Sequence, residues 1–209
     1  MRPLAGAPDS VPHEVAALQE IVHAFRLAEA PEEVFQFALD RVLPLTGASF
    51  ASVYLVDGAS ELMRLVAASQ WPEAYRPWLG EMRVRVGFGP SGEAVSERRP
   101  IEVPDVYADA ALEDWQEVAQ ELGFRALAAV PLLTARGVLG AVTYYFARAG
   151  APSADQRALI RLVADQMAVT AERALLSDEL RRTKAHLAER DEDIDRQYVA
   201  VSEARRVKD

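Results

Sequence analysis

From Ser153 to Asp209 the chain contains neither proline nor glycine, and this uninterrupted stretch constrains every other part of the fold. Ser153 and Gln156 open it at the spacing of a capping box, in which each side chain bonds the other residue's backbone N–H. At about 1.5 Å per residue, a fully helical stretch of this length makes a rod of roughly 80 Å. The rest of the chain is too small to bury such a helix, so its distal half is expected to project. One heptad column reads Leu159, Gln166, Arg173, Leu180, Leu187, Ile194 and Val201. Its companion reads Leu162, Val169, Leu176, Thr183, Arg190, Gln197 and Ala204. A strict seven-residue period predicts a left-handed supercoil, with Leu176, Leu180, Leu187, Ile194 and Val201 as the apolar seam of a dimer. Thr183, Arg190 and Gln197 make that seam half polar and marginal, so a small free energy suffices to change its register. The competing expectation is a solvated single helix folded back on its domain.

Upstream, the pattern changes twice. Residues 1–12, rich in Pro, Ala and Gly, are expected to be disordered. A helix is expected over 13–30, with Val15, Leu18, Val22 and Phe25 at spacings of three and four. Pro31-Glu-Glu starts a second helix with the face Val34, Phe37, Ala38 and Val42, ending at Thr46-Gly47. Strands follow at Ser49–Val56, Met63–Ser69 and Met82–Val86, then a short helix Glu93–Arg98 and an extended piece Pro100–Val103. Leu112, Trp115, Val118, Ala119 and Leu122 mark one face of a helix closed by Gly123. Two apolar strands, Phe124–Leu133 and Val138–Ala147, join at Arg136-Gly137. Hairpins and crossover helices in this order predict an α+β fold with a largely antiparallel sheet. The domain is expected over 31–176 and the coiled-coil helix over 177–209.

Several chemistries are excluded by what the chain lacks. Its 209 residues carry a formal net charge of −9 and no basic stripe, which argues against nucleic acid. It has no cysteine, so it forms no disulfide, thiolate metal site or thioether link and has no thiol nucleophile. No secretory leader is visible, and the longest apolar stretches fall short of the ~20 residues of a membrane span, so a cytoplasmic protein is expected. Gly87-Phe-Gly-Pro-Ser-Gly92 has the letters of a dinucleotide-binding turn. The helix after it stops at Pro100, too early for a crossover between parallel strands, and tight turning is the better reading. His13, His23 and His186 all lie in the flanking helices, so no histidine general base or metal site is expected in the domain body. Asp105 and Asp109 are expected to cap or turn the chain.

The run from Val86 to Phe146 resembles the core of GAF domains, here those of bacterial signal-transduction proteins. The landmarks are Gly87 and Gly92 around the short helix, Val103-Pro104-Asp105, Leu122-Gly123-Phe124-Arg125, Val130-Pro131-Leu132 and Gly137-Val-Leu-Gly140. With the helices on either side the resemblance covers roughly residues 14 to 180. It implies a sheet of five or six strands with helices on one face and a ligand cavity on the other. It also implies a parallel homodimer through the flanking helices and a regulatory role upstream of an output domain. Some members carry a bilin on cysteine or reduce methionine sulfoxide with cysteines; this chain has none. Histidine-held haem is disfavoured by where the histidines lie. The Asn-Lys-Phe-Asp-Glu set of cyclic-nucleotide-binding members cannot be present without Asn and with no Lys before Lys184. No cofactor is identified.

By that resemblance Trp71, Phe88, Tyr107 and Trp115 fall in cavity-lining segments, with Ser91 and Arg125 as polar anchors. Core packing of the tryptophans, and a surface position for Arg125, stand as the alternatives. The expectation is a sensor, not an enzyme, that binds an unidentified small molecule, dimerises and acts on an output domain or partner protein. Its rival is a ligand-free GAF scaffold for dimerisation. The end of the chain in mid-helix points to an output domain beyond it or to a stand-alone adaptor.

Overall fold

The computed structural model describes residues 16, 19–25, 31–58 and 60–206. The expected disordered segment and most of the ends of the expected first helix lie outside these residues. Positions 19–25 are helical and bury Ile21 and Phe25. Helix α1 (Pro31–Thr46) begins on Pro31 with Glu32 and Glu33 in its first turn, where proline lacks only a redundant N–H and acids meet the positive helix end. Its buried face is Val34, Phe35, Ala38, Leu39, Val42 and Leu43, while Phe37 is only partly buried.

Six strands follow: β1 (Phe50–Val56), β2 (Leu62–Ser69), β3 (Arg83–Arg85), β4 (Ile101–Val103), β5 (Ala126–Leu133) and β6 (Val138–Phe146). They form one sheet in the order β3-β2-β1-β6-β5-β4, with every neighbouring pair antiparallel. A bulge at Val66, where Val53 pairs with Ala67 and Tyr54 with Leu65, interrupts the β1–β2 register. Between the strands lie a 3-10 segment (Glu73–Glu81), helix α2 (Gly89–Glu97) and helix α3 (Glu113–Leu122). Gly123 takes φ 74 after α3, as a left-handed cap requires. Helix α2 starts four residues before the expected Glu93, because Gly89-Pro90 belongs to its first turn and not to the preceding loop.

Helix α4 runs from Ala154 to Arg206. Its capping box is formed: the Ser153 N–H donates to Gln156 Oε1 at 2.7 Å and the Gln156 N–H to Ser153 Oγ at 3.2 Å. Gln156 Nε2 also donates to the Thr46 carbonyl at 2.5 Å, tying the start of α4 to the end of α1. The chain divides into two units, one ending at Glu172 and one beginning at Arg173. In the first unit α4 buries Ile160, Val163, Ala164, Met167, Ala168 and Ala171 in a core with α1, Val53, Val130, Val142 and Tyr144. The larger of these, Ile160, Val163 and Met167, each contribute about 1.5–3 kcal/mol when taken from water. Leu162 and Val169, from the companion heptad column, stay exposed. In the second unit the seam residues Leu176, Leu180, Leu187 and Ile194 are exposed at 38%, 56%, 54% and 57%; the side chain of Val201 lies outside the described set. Among the described residues no helix is long and apolar enough to cross a membrane.

Tyr144 is fully buried in the core under α1 and α4, and its hydroxyl has no hydrogen-bond partner among the described residues. Burying an unpaired hydroxyl costs about 1–3 kcal/mol, whereas phenylalanine fills the same ring volume without that cost. Tyr144→Phe is therefore expected to raise stability in urea denaturation by about 1 kcal/mol. A loss of stability would show that the hydroxyl is satisfied.

Candidate functional site

The side chains on the other sheet face come from alternate positions of β1 and β6. Phe50, Ser52 and Tyr54 point there from β1, and Ala141, Thr143 and Tyr145 from β6, in the register Phe50↔Tyr145 and Ser52↔Thr143. Helices α2 and α3 and the 3-10 segment cover this floor with Ala94, Leu79, Ala119 and Leu122. The face on which the resemblance puts a ligand cavity is thus covered by these elements.

Two kinds of group meet beneath that roof. The first is aromatic. Phe50 stacks on Tyr145 with ring centroids 4.4 Å apart, Trp71 and Phe124 meet Phe50 edge-on at 5.2 and 5.9 Å, and Phe124 lies 5.0 Å from Tyr145. Such tilted and offset pairs are the favoured geometry of aromatic quadrupoles. Trp71 is 4% exposed and its indole N–H donates to the Ala51 carbonyl at 3.1 Å. In this state it is core, the alternative that sequence left open.

The second is a group of buried hydroxyls. Ser91 Oγ, in the first turn of α2, lies 2.8 Å from Thr143 Oγ1, and Ser52 Oγ lies 3.4 Å from the Tyr145 hydroxyl. Tyr54 donates to Met82 Sδ at 3.8 Å. Burial pushes the Tyr54 phenol well above its ordinary range, and the neighbouring Tyr145 adds to the effect. Burial also raises Tyr145, while hydrogen bonds to Ser52, Tyr54 and Ser91 oppose the shift. Both phenols are neutral around pH 7 and exchange hydrogen bonds without supplying charge. The set can orient a polar group, but it contains no general base.

Glycine lets the start of α2 sit close to the end of β3 and to α3. A Cβ on Gly92 would collide with the Arg85 carbonyl, and one on Gly89 (φ 64) would come 2.5 Å from the Trp115 ring. Trp115 thus lies directly on the start of α2, half-buried, with the exposed ring of Phe88 6.3 Å away. The structure therefore links Trp71, Phe88, Ser91 and Trp115 through Gly89, Thr143 and Tyr145. It does not bring Tyr107 and Arg125 to them. Arg125 donates three hydrogen bonds of 2.9–3.2 Å to the Asp105 carboxylate, and its guanidinium lies 5.8 Å from the ring centre of the exposed Tyr107. Arg125 holds the Asp105 carboxyl below the usual carboxylate range. With its fork filled by Asp105, Arg125 is not a spare anchor for a ligand. Ser52, Tyr54, Thr143 and Tyr145 were missed; their signal is hydroxyl-bearing residues at alternate positions of two otherwise apolar strands. His23 and His186 are exposed on their helices, and His13 lies outside the described residues.

Removing one hydroxyl of the Ser91–Thr143 pair strands the other in an apolar layer. Ser91→Ala and Thr143→Val are each expected to cost about 1–2 kcal/mol, and the double variant less than the sum of the two. Additive losses in urea denaturation would show that the two hydroxyls are not coupled.

Comparison with known proteins places this geometry. The model of the GAF domain family matches residues 28–172. A curated relative, the methyl sulfide methyltransferase-associated sensor of Methanosarcina acetivorans, is 25% identical over 134 residues, which is 64% of this chain and 13% of that protein's length. The chain thus spans about an eighth of that relative. Among solved structures, the GAF domain from a phosphoenolpyruvate-protein phosphotransferase of Coxiella burnetii superposes with a TM-score of 0.70 at 16% identity, over 81% of this chain and 99% of that one. The free methionine-R-sulfoxide reductase of Neisseria meningitidis, solved with its substrate, gives 0.65 at 17% identity, over 85% of this chain and 99% of that one. These likenesses show the fold, and the match across residues 28–172 shows the family: this chain belongs to the GAF domain family.

Proposed function

We propose that this chain is a sensory module that binds a small molecule between the hydroxyl-bearing sheet face and the α2–α3 roof and passes its state along α4 in a parallel homodimer. The observation that carries this reading is the division of labour within one helix. The first part of α4 packs its buried face into the domain core, and the second presents Leu176, Leu180, Leu187 and Ile194 to solvent at heptad positions. An apolar column of this kind is stable in water when a second copy covers it. The polar Thr183 and Arg190 in the same seam, both exposed in the single chain, keep it near balance between registers. The sensor from Methanosarcina, similar over part of its length, supports a sensory role.

The pocket assigned by this reading comprises Trp71, Ser91 and Trp115, with Phe88 at its rim and Ser52, Tyr54, Thr143 and Tyr145 as the floor. A ligand enters by displacing the Trp115 ring from Gly89 or by parting the aromatic cluster. The reading is non-enzymatic. Two phenols and three aliphatic hydroxyls held neutral offer no nucleophile activated by a base. Reduction of a sulfoxide at the expense of a thiol has no electron source in a chain without cysteine.

A second reading, a GAF scaffold without ligand, is favoured by the rings of Phe50, Trp71, Phe124 and Tyr145, which already fill the space beneath the roof. Native mass spectrometry of the purified protein, followed by a thermal-shift screen of metabolites, separates the two. The sensor is expected to retain or be stabilised by a compound, by about 2.7 kcal/mol at a hundredfold excess over Kd. No retained compound and no stabilising ligand would favour the scaffold. In both readings light scattering is expected to give a dimer, and Leu180→Lys with Leu187→Lys a monomer. A wild-type monomer would remove the coiled-coil claim.

A further inference from the structure

A groove of about 480 Å³ lies between α1, the end of β2 and the 3-10 segment, lined by Gln36, Asp40, Gln70, Trp71, Arg76 and Leu79 among others. None of its polar side chains belongs to the hydroxyl set around Ser91. Its two charged side chains, Asp40 and Arg76, lack ion partners of opposite sign among the described residues. Arg41, Arg64, Arg85, Arg99, Arg125 and Arg157 each pair with a carboxylate. Arg76 pairs with none among the described residues; only its Nε is engaged, at 3.4 Å from the Trp71 carbonyl. Asp40 meets no cation there either. Its Oδ1 accepts from Ser69 Oγ at 2.6 Å and from Gln36 Nε2 at 3.0 Å, so the carboxylate is held in place while Oδ2 keeps its accepting capacity. Gln36 is fixed in turn, because its Oε1 accepts the Ala68 N–H at 3.1 Å.

Between the two charges the backbone is strained. Gln70 has φ 53, one of two non-glycine residues with positive φ among those described. A left-handed conformation costs a residue with a Cβ on the order of 1–2 kcal/mol, and strain of this kind clusters at ligand clamps. Gln70 is exposed and lines the same groove as Asp40 and Arg76. The remaining walls are apolar, the edge of the buried Trp71 ring and the half-buried Leu79.

We propose that this groove binds a free α-amino acid with an apolar side chain. Such a zwitterion puts its ammonium on Asp40 Oδ2 and its carboxylate on the terminal nitrogens of Arg76, with the Gln70 amide between them and the side chain against Trp71 and Leu79. A simple anion would satisfy Arg76 and meet Asp40 as a like charge. A simple cation would do the reverse. Both charges stand near solvent, where each ion pair is worth little, and the affinity expected is about 0.1–1 mM. This groove shares Trp71 and Leu79 with the surroundings of the proposed-function pocket, but its charged groups are distinct from that pocket's hydroxyls, and either site can stand without the other.

The test is titration of the full ¹⁵N-labelled chain with L-leucine, L-valine and L-phenylalanine, followed by the side-chain amides of Gln36 and Gln70 and the indole N–H groups. At least one amino acid is expected to shift the Gln70 and Gln36 amides. Phenethylamine and 3-phenylpropanoate, which each keep one charge of phenylalanine, are expected to bind about threefold to fivefold more weakly or not at all. Asp40→Asn keeps the Ser69 and Gln36 contacts, and Arg76→Gln keeps a donor; each is expected to weaken binding about threefold to fivefold with the rest of the spectrum unchanged. The proposal is overturned if none of the three binds at about 10 mM, or if both single-charge analogues bind as well as phenylalanine. It is equally overturned if the two substitutions leave affinity intact. Shifts confined to the Trp115 indole and the Ser91 backbone would overturn it too, while supporting the pocket under α2.

Discussion

Everything in the domain depends on β1 and β6 being buried on both faces. Their paired residues alternate between two cores: Ala51, Val53, Val142 and Tyr144 to the α1–α4 side, Phe50, Ser52, Thr143 and Tyr145 to the side roofed by α2 and α3. A strand with no solvent face cannot carry charge, because an unpaired ion in that layer would cost several kcal/mol. The polarity these strands present is hydroxyl, and on the roofed face Ser52, Thr143 and Tyr145 find partners, whereas Tyr144 on the opposite face finds none among the described residues. The character of the candidate pocket, neutral and hydrogen-bonding within an aromatic frame, follows from this double burial rather than from any loop.

The same constraint fixes α4. To cover Tyr144 and Val142 it must lay small and medium apolar residues on the sheet, and Ala164, Ala168 and Ala171 allow that close approach. Gln156 sets the helix start by holding both the Ser153 N–H and the Thr46 carbonyl. Once that face is committed to the core, Leu162 and Val169 are left on a face that the domain does not cover, and the heptad continues from them into Leu176. The first unit commits one face of α4 to the domain core, and the second carries the exposed leucines at heptad positions. In the proposed mechanism the continuous helix is what carries a change beneath α2 to the seam.

Much of this was legible in the sequence, for physical reasons that differ from element to element. Gly123 and the Ser153/Gln156 pair are local signals, since caps depend on residues within one turn. The strands of β1, β5 and β6 were readable because double burial makes them continuous apolar runs. The 3-10 segment Glu73–Glu81 was not assigned from sequence: it contains Pro77 and has no helical period to detect. The start of α2 was misplaced because the glycines of GFGPSG resemble a loop, although Pro90 suits a first helical turn and Gly92 is required by the Arg85 carbonyl. The site was only half legible. Trp71, Ser91 and Trp115 could be named, but the hydroxyl floor appears only when Ser52 meets Tyr145, 93 residues away, and Arg125 is withdrawn only when Asp105 reaches it from 20 residues upstream.

The account stands or falls on whether the exposed seam of α4 is covered by a second copy running in the same direction. Because the chain has no cysteine, a single nitroxide can be placed at Ala188→Cys, beside Leu187 and outside the seam. Double electron–electron resonance on that one labelled chain then reads an intermolecular distance directly. A parallel pair, with helix axes about 10 Å apart, predicts a narrow distribution at about 20–30 Å. The absence of any intermolecular dipolar coupling at concentrations where the chain is otherwise folded would contradict it.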